Sequence, residues 1–97
     1  MRFGLTEKQI GQITALLGNA EVSKAIIFGS RAKGCYRNNS DIDIAVWGSN
    51  INIGRLLAEL DELPMPYKFD VIDYEKITDD ALRNHIDSVG ITFSQMI

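Results

Sequence analysis

A Gly-Ser turn and a pair of aspartates are the residues of this sequence best suited to do chemistry. Gly29 and Ser30 follow an apolar stretch that ends at Phe28, and ten residues separate them from Asp41-Ile-Asp43. A Gly-Ser turn after a strand presents backbone N–H groups that can bind phosphate. Because residues i and i+2 of a strand share a face, we expect the two carboxylates side by side, about 6.5–7 Å apart along the backbone. A phosphate-binding turn beside paired carboxylates is what a magnesium-nucleotide site requires.

The paired carboxylates also predict a metal ion. Two such close anions repel each other unless a cation lies between them, and carboxylate oxygens suit Mg²⁺ or Mn²⁺. Asp70 lies in a further predicted strand, Lys68–Asp73. If that strand neighbours the one that carries Asp41 and Asp43, its carboxylate can complete a three-acid cluster, which can hold two metal ions about 3.5–4 Å apart. Asp70 could also accept the proton of an attacking hydroxyl as general base.

Three cations follow the Gly-Ser turn, namely Arg31, Lys33 and Arg37. Any of them could neutralise a departing pyrophosphate, although each alone is better explained as a solvated loop charge. The turn alone could be a strand-to-helix connection with Ser30 as N-cap, and the paired aspartates alone could be the solvated face of an edge strand. Their joint spacing favours the functional interpretation.

Hydrophobic periodicity predicts the elements that would position these residues. The predicted strands are Lys24–Phe28, Asp41–Trp47 and Lys68–Asp73, with the apolar tail Ile91–Ile97 as an edge strand or a docking site for a partner. The first predicted helix is Thr6–Leu17, with Gly18 as its stop. The second has the apolar residues Ile53, Leu56, Leu57 and Leu60, is preceded by a cap within Gly48–Asn50, and is ended by Pro64 and Pro66. The third begins at Thr78-Asp79-Asp80 and stops at Gly90. This order predicts an α/β (α+β) fold with a small mixed sheet backed by helices on one face. The opposite face, which carries the acids, is expected to stay open to water or metal.

Length and composition limit the remaining possibilities. The chain of 97 residues predicts one domain, residues 1–97, and the net charge of −3 argues against a dedicated nucleic-acid surface. Cys35 is the sole cysteine and we expect it to be an unreactive loop residue. With no apolar run of membrane length and no signal peptide, we expect a cytoplasmic protein. His85 is expected on the polar surface of the last helix, and Trp47 in the core or an interface.

The combination of Gly29-Ser30, ten intervening residues and Asp41-Ile-Asp43 resembles the signature of the polymerase-β-like nucleotidyltransferase superfamily. The Ser-Asp-Ile-Asp-Ile context and the total length are similar to its smallest branch, the minimal nucleotidyltransferases. The resemblance runs from about Ala25 to Asp73. It implies the polymerase-β-like nucleotidyltransferase fold.

The resemblance also implies an activity. Members hold two Mg²⁺ ions with three carboxylates, which here would be Asp41, Asp43 and Asp70. Asp70 is the third acid, rather than Asp61 or Asp73, because it lies mid-strand before Val71-Ile72, as the family's third acid does. Members transfer a nucleoside monophosphate from ATP or another nucleoside triphosphate to a hydroxyl and release pyrophosphate.

The phosphates of the nucleotide would lie at the Gly-Ser turn. By the resemblance, Gly29 and Ser30 bind them. Of the cations that follow the turn in the sequence, Arg31 and Lys33 are our candidates for binding the nucleotide beside them.

Partners are implied as well. Minimal members pair with a helical HEPN-domain protein, and several such pairs are toxin–antitoxin systems in which the nucleotidyltransferase adenylylates a tyrosine of its partner. Larger members carry a further domain that grips the base and the acceptor, and this sequence has no counterpart of it. We therefore expect a hetero-oligomer in which a partner completes the site. The alternatives are a non-catalytic nucleotide-binding module that regulates its partner by contact, and a catalytic subunit that acts on a small molecule such as an aminoglycoside.

Overall fold

A computed structural model describes residues 3–37 and 39–94 of the chain. The helices are α1 (Glu7–Asn19), α2 (Gly29–Lys33), α3 (Ile53–Asp61) and α4 (Asp80–Val89), with a 3-10 turn at Tyr74–Lys76. The strands are β1 (Lys24–Phe28), β2 (Ile42–Trp47), β3 (Phe69–Asp73) and β4 (Ile91–Ser94).

The four strands form one mixed sheet in the order β3-β2-β1-β4. β1 pairs antiparallel with both β2 and β4, whereas β2 and β3 run parallel. β2 and β3 are therefore neighbours, which is the condition that a three-acid cluster required. Its register sets Asp43 opposite Asp70, so the two aspartates lie side by side on adjacent strands.

One face of the sheet carries the main core. Ile42, Ile44 and Val46 of β2 are completely buried, as their alternation predicts, and they belong to a cluster with Leu17 of α1 and Leu60 of α3. Burying several such side chains contributes roughly 1.5–3 kcal/mol each. This face is the part of the molecule on which the fold depends most.

The start of α1 follows its sequence closely. The Thr6 hydroxyl accepts a hydrogen bond from the Gln9 amide at 3.1 Å, and the Thr6 amide donates to the Gln9 side chain at 3.0 Å. This reciprocal pair is the predicted capping box. The helix continues through the predicted stop at Gly18 and ends at Asn19.

The opposite face is not open along its length, which corrects the expectation of helices on one face only. Phe28, Ala45, Ile77 and Ile86 form a second buried cluster there, with α4 lying over the sheet. Ala45 shares its face with Asp43, and its small side chain leaves room for the apolar stripe of α4. At the end of this face that carries the acids, Asp70 is exposed and Asp43 is half-buried.

Several boundaries differ from the sequence-based expectations. β2 begins at Ile42, so Asp41 lies just ahead of it, and α3 is capped by Asn52 rather than within Gly48–Asn50. The 3-10 turn after β3 was not predicted; the Asp73 carboxylate caps it by accepting from the Glu75 amide. The apolar tail forms edge strand β4 as far as Ser94, and its last residues, 95–97, lie outside the described part of the chain. No described helix is long and apolar enough to cross a membrane.

Candidate active site

The Gly-Ser turn lies directly against one of the aspartates. β1 ends at Phe28, and Gly29 has φ +74°, a backbone conformation that favours glycine. A Cβ atom at Gly29 would overlap the carboxylate of Asp43. Both the positive φ and the close approach of the Asp43 carboxylate therefore require glycine at position 29. The contact also brings the predicted phosphate-binding turn next to the predicted metal site.

The three predicted acids lie at the same end of the sheet. Asp43 and Asp70 are register partners on parallel strands, and neighbouring strands lie about 4.7–4.9 Å apart. Asp41, two residues before Asp43, is exposed, as is Asp70. Within residues 3–37 and 39–94, none of the three carboxylates accepts a hydrogen bond, and no three His, Cys, Asp or Glu side chains form a metal-binding group. The three acids therefore lie near one another, but their carboxylates do not converge on a single position where a metal ion could bind.

Electrostatics connect the acids to each other. The pKa of the Asp43 carboxyl is raised above its ordinary value, first by partial burial and then by the negative charges of Asp70 and Asp41. The positive charges of His85 and Arg31 oppose this shift. A bound cation would stabilise the ionised form of Asp43. The donor set consists of carboxylate oxygens, which fits Mg²⁺ or Mn²⁺.

Arg31 is buried, although its position in a polar loop of the sequence predicts an exposed side chain. Its side chain is 2% exposed, so the interpretation as a solvated loop charge is wrong. Nε and Nη2 donate to the carbonyl of Ser40 at 3.2 and 2.8 Å, and Nη1 donates to the carbonyl of Phe3 at 2.7 Å. Because backbone carbonyls occupy these donors, Arg31 is poorly suited to hold a phosphate.

Comparison with known proteins identifies the family. The family model described as polymerase beta, nucleotidyltransferase matches residues 11–95. The chain belongs to this nucleotidyltransferase family. The matched range contains the Gly-Ser turn and all three acids.

Solved structures share the fold of this nucleotidyltransferase. A chain of a toxin–antitoxin complex with AMP-PNP is 25% identical, with a TM-score of 0.74 over 88% of this chain and 72% of that one. A chain of the MntA–HepT toxin–antitoxin complex is 22% identical, with a TM-score of 0.68 over 92% and 72% of the two chains. A complex of a tri-AMPylated Shewanella oneidensis HEPN toxin with its MNT antitoxin gives 21% identity and a TM-score of 0.70 over 93% and 72%. No curated protein matches the chain by sequence.

The other predicted phosphate ligands of this nucleotidyltransferase differ in their accessibility. Ser30 is half-buried in the first turn of α2, and its carbonyl accepts from the Cys35 amide at 3.1 Å. Lys33, the last residue of α2, is exposed. Lys33 is therefore better placed than Arg31 to reach a ligand from solvent. Cys35 is exposed and lies in the following loop, where it was expected, and its lack of reactivity stays a prediction.

His85 is a residue of the site that sequence reasoning missed. Its ring and that of Phe28 are nearly perpendicular, with centroids 6.1 Å apart and planes at 82°. A positive charge on His85 lowers the pKa of Asp43. It is therefore half-buried beside Phe28, close to the site, rather than on the outer surface of α4. The available signal was its position three residues after Leu82 and directly before Ile86, which places it at the border of the apolar stripe.

Proposed function

We propose that this chain is a Mg²⁺-dependent nucleotidyltransferase that transfers AMP from ATP to a hydroxyl group of a helical HEPN-type partner protein. Residues 1–97 would act as a single catalytic domain within a hetero-oligomer. The observation that carries the proposal is the contact between Gly29 and the Asp43 carboxylate, with Asp70 in register beside Asp43. A turn that presents N–H groups to phosphate and a carboxylate pair that attracts a cation are thereby brought together.

Each residue has a role in the proposed reaction. The backbone of Gly29 and the N–H and hydroxyl of Ser30 would bind phosphate oxygens of the nucleotide. Asp41, Asp43 and Asp70 would hold Mg²⁺, with Mn²⁺ as a substitute. When bound, the ion supplies Lewis-acid polarisation of the phosphoryl group and lowers the pKa of the attacking hydroxyl.

The proposed transfer forms one bond and breaks one bond at the α-phosphorus of ATP. The hydroxyl oxygen of the acceptor bonds to the α-phosphorus of ATP, and the bond from that phosphorus to the β-phosphate oxygen breaks. Pyrophosphate leaves with the electron pair, and the exposed Lys33 would offset part of its charge. The proton of the acceptor hydroxyl passes to the carboxylate of Asp70, which is exposed and therefore accessible to an acceptor from outside.

The solved complexes support the choice of nucleotide and acceptor. The structure that is 25% identical is a toxin–antitoxin complex with AMP-PNP, which supports ATP as the donor. The Shewanella oneidensis complex contains a tri-AMPylated HEPN toxin, which supports a protein hydroxyl as the acceptor and an antitoxin role for this chain. We also propose a cytoplasmic location, which a single exposed free thiol at Cys35 favours.

The test mixes the chain with a HEPN-domain protein, encoded in the adjacent reading frame if the proposal is right, together with ATP and Mg²⁺, and records intact masses. We expect the partner to gain the mass of one or more AMP groups. Asp43→Asn should reduce the initial rate about 1,000-fold, since a metal-ligating carboxylate supports several kcal/mol of transition-state stabilisation. The matched control is Asp61→Asn at the exposed end of α3, which should leave the rate unchanged.

Other outcomes would contradict the proposal in distinct ways. If the complex forms but the partner's mass does not change, the chain is a binding module that acts by contact. If AMP appears on an added aminoglycoside while the partner stays unmodified, the acceptor is a small molecule. If Asp43→Asn retains the full rate, the acids are not the metal site.

A further inference from the structure

Arg31 is the only charged or polar residue that is fully buried in the described part of the chain. Burying a charge is costly unless hydrogen bonds and opposing charges compensate for it. Two backbone carbonyls, those of Ser40 and Phe3, accept from its guanidinium. Within the described residues no carboxylate forms a salt bridge with Arg31. Such an expensive arrangement calls for a reason beyond the packing of α2.

Aromatic rings complete the surroundings of the guanidinium. The Arg31 Cζ atom lies 5.4 Å from the ring centroid of Tyr36 and 4.6 Å from that of Tyr67. Both distances are within the range of cation–π attraction, which is stronger for a desolvated cation. Arg31 therefore contacts the loop after α2 and the segment that leads into β3.

The N-terminal segment approaches Arg31 through an unusual backbone conformation. Phe3 and Gly4 both have positive φ, +58° and +74°. A left-handed conformation at a non-glycine residue persists only where surrounding contacts hold it, and here the Phe3 carbonyl accepts from Nη1 of Arg31. A Cβ atom at Gly4 would lie 2.8 Å from the same Nη1. The segment thus fits over the guanidinium only because position 4 is glycine.

The segments that meet at Arg31 lead to the site. Its Nε and Nη2 both hold the carbonyl of Ser40, the residue directly before Asp41. The other hydrogen bonds of Ser40 are local, since its amide donates to the Arg37 carbonyl and its hydroxyl accepts from the Arg37 amide. Arg31 therefore joins the exposed α2–β2 loop to the protein body next to Asp41.

We propose that Arg31 is a positioning residue: it fixes the Ser40 carbonyl, and thereby the backbone of Asp41, so that the Asp41 carboxylate is held ready to bind a divalent cation. The inference rests on the proposed function for its consequence. It assigns no direct contact with nucleotide or metal to Arg31.

Mn²⁺ binding without nucleotide, followed by electron paramagnetic resonance, separates positioning from charge. Removing a positive charge near the acids should by itself tighten the binding of a cation. Positioning predicts the opposite, a dissociation constant about 10-fold higher in Arg31→Met, as for other residues that orient metal ligands. Arg37→Met removes the same charge from the exposed part of the loop and should leave the dissociation constant equal or slightly lower. Tighter or unchanged binding in a folded Arg31→Met would overturn the proposal.

A second measurement keeps the inference testable if Arg31→Met does not fold. Arg31→Lys keeps the charge but has a single ammonium group in place of the two-pronged contact with Ser40. Gly4→Ala disturbs the other side of the guanidinium. Both should weaken Mn²⁺ binding and speed amide hydrogen exchange at Ser40 and Ile42, the residues on either side of Asp41. Unchanged exchange in both variants would refute the positioning role.

The same measurement separates the two proposals. If the wild-type chain does not bind Mn²⁺, the proposed metal site fails, while amide exchange at Ser40 and Ile42 still decides whether Arg31 fixes this backbone. If the wild-type chain binds Mn²⁺ and Asp43→Asn does not, but Arg31→Lys binds and exchanges as the wild type does, only the role of Arg31 is refuted.

Discussion

The two ends of one sheet face behave in opposite ways. On β2, Asp43 and Trp47 point to the same face, with the buried Ala45 between them. At the Trp47 end the Lys24 ammonium lies 4.7 Å from the centroid of the indole ring, and the indole stacks on Tyr74 with centroids 4.4 Å apart. At the Asp43 end, the negative charges of Asp41 and Asp70 lie close to that of Asp43, and the backbone of Gly29 lies against the Asp43 carboxylate.

Helix α4 spans both ends and shows what the difference means. Near the Trp47 end, the Tyr74 hydroxyl donates to the Asp87 carboxylate at 2.7 Å. Two residues earlier in the same helix, His85 lies against Phe28 at the site. The hydrogen bond holds the helix near Trp47, whereas Asp41 and Asp70 at the other end are exposed and accessible to a ligand. The predictions below test whether stability and chemistry are divided in this way.

The largest effect is expected from Gly29→Ala at the acidic end. A side chain at φ +74° costs about 1–2 kcal/mol, and overlap with the Asp43 carboxylate adds about 1–3 kcal/mol. Urea unfolding should show a loss of roughly 2–5 kcal/mol, with AMP transfer abolished. The control is Gly11→Ala within α1, where an added Cβ atom meets no heavy atom within 4 Å. This variant should raise the free energy of unfolding by about 0.5–1 kcal/mol. Wild-type stability in Gly29→Ala would show that the contact between turn and acid does not exist.

A smaller effect of opposite sign is expected from Asp43→Asn without metal. Because the pKa of Asp43 is raised in the folded state, ionisation of this carboxyl costs stability as the pH rises above its ordinary value of 3.8. The variant should therefore melt a few degrees higher than the wild type at pH 7, and this difference should vanish as the pH falls below 3.8, where Asp43 is protonated in both states.

Magnesium should make the wild type melt at a higher temperature than Asp43→Asn. It should raise the melting temperature of the wild type and leave Asp43→Asn almost unchanged, because an ion that binds only the folded state stabilises it. Thermal melts from pH 3 to 8, with and without Mg²⁺, check both statements. A variant that is less stable than the wild type at pH 7 without metal would show that the acids are not under repulsion.

The smallest effect is expected at the Trp47 end. Tyr74→Phe removes the hydrogen bond to Asp87, which is the first cause of the raised Tyr74 pKa, ahead of burial and the Asp87 charge. The melting temperature should fall slightly at neutral pH, and the two proteins should converge as the pH rises past the raised pKa, where ionised Tyr74 loses its donor. AMP transfer should stay at the wild-type rate. A loss of transfer with unchanged stability would show that the two ends do not divide stability and chemistry.

Much of the molecule could be predicted from short stretches of sequence. The capping box at Thr6 and the buried alternation of β2 depend on residues a few positions apart, so local patterns predict them. The spacing between the Gly-Ser turn and the acids likewise predicted a family to which the chain belongs. The assignment of individual residues to nucleotide and metal stays a prediction.

What the sequence alone determined is where strands, helices and reactive side chains occur, because hydrophobic period and turn chemistry act between near neighbours. Tertiary structure alone decided which of them meet. The acceptors of Arg31 lie 9 and 28 positions away, the register of β2 and β3 joins Asp43 to Asp70, and α4 covers the face that was expected to be open. These contacts depend on how the helices pack on the sheet, and no local pattern in the chain specifies that packing.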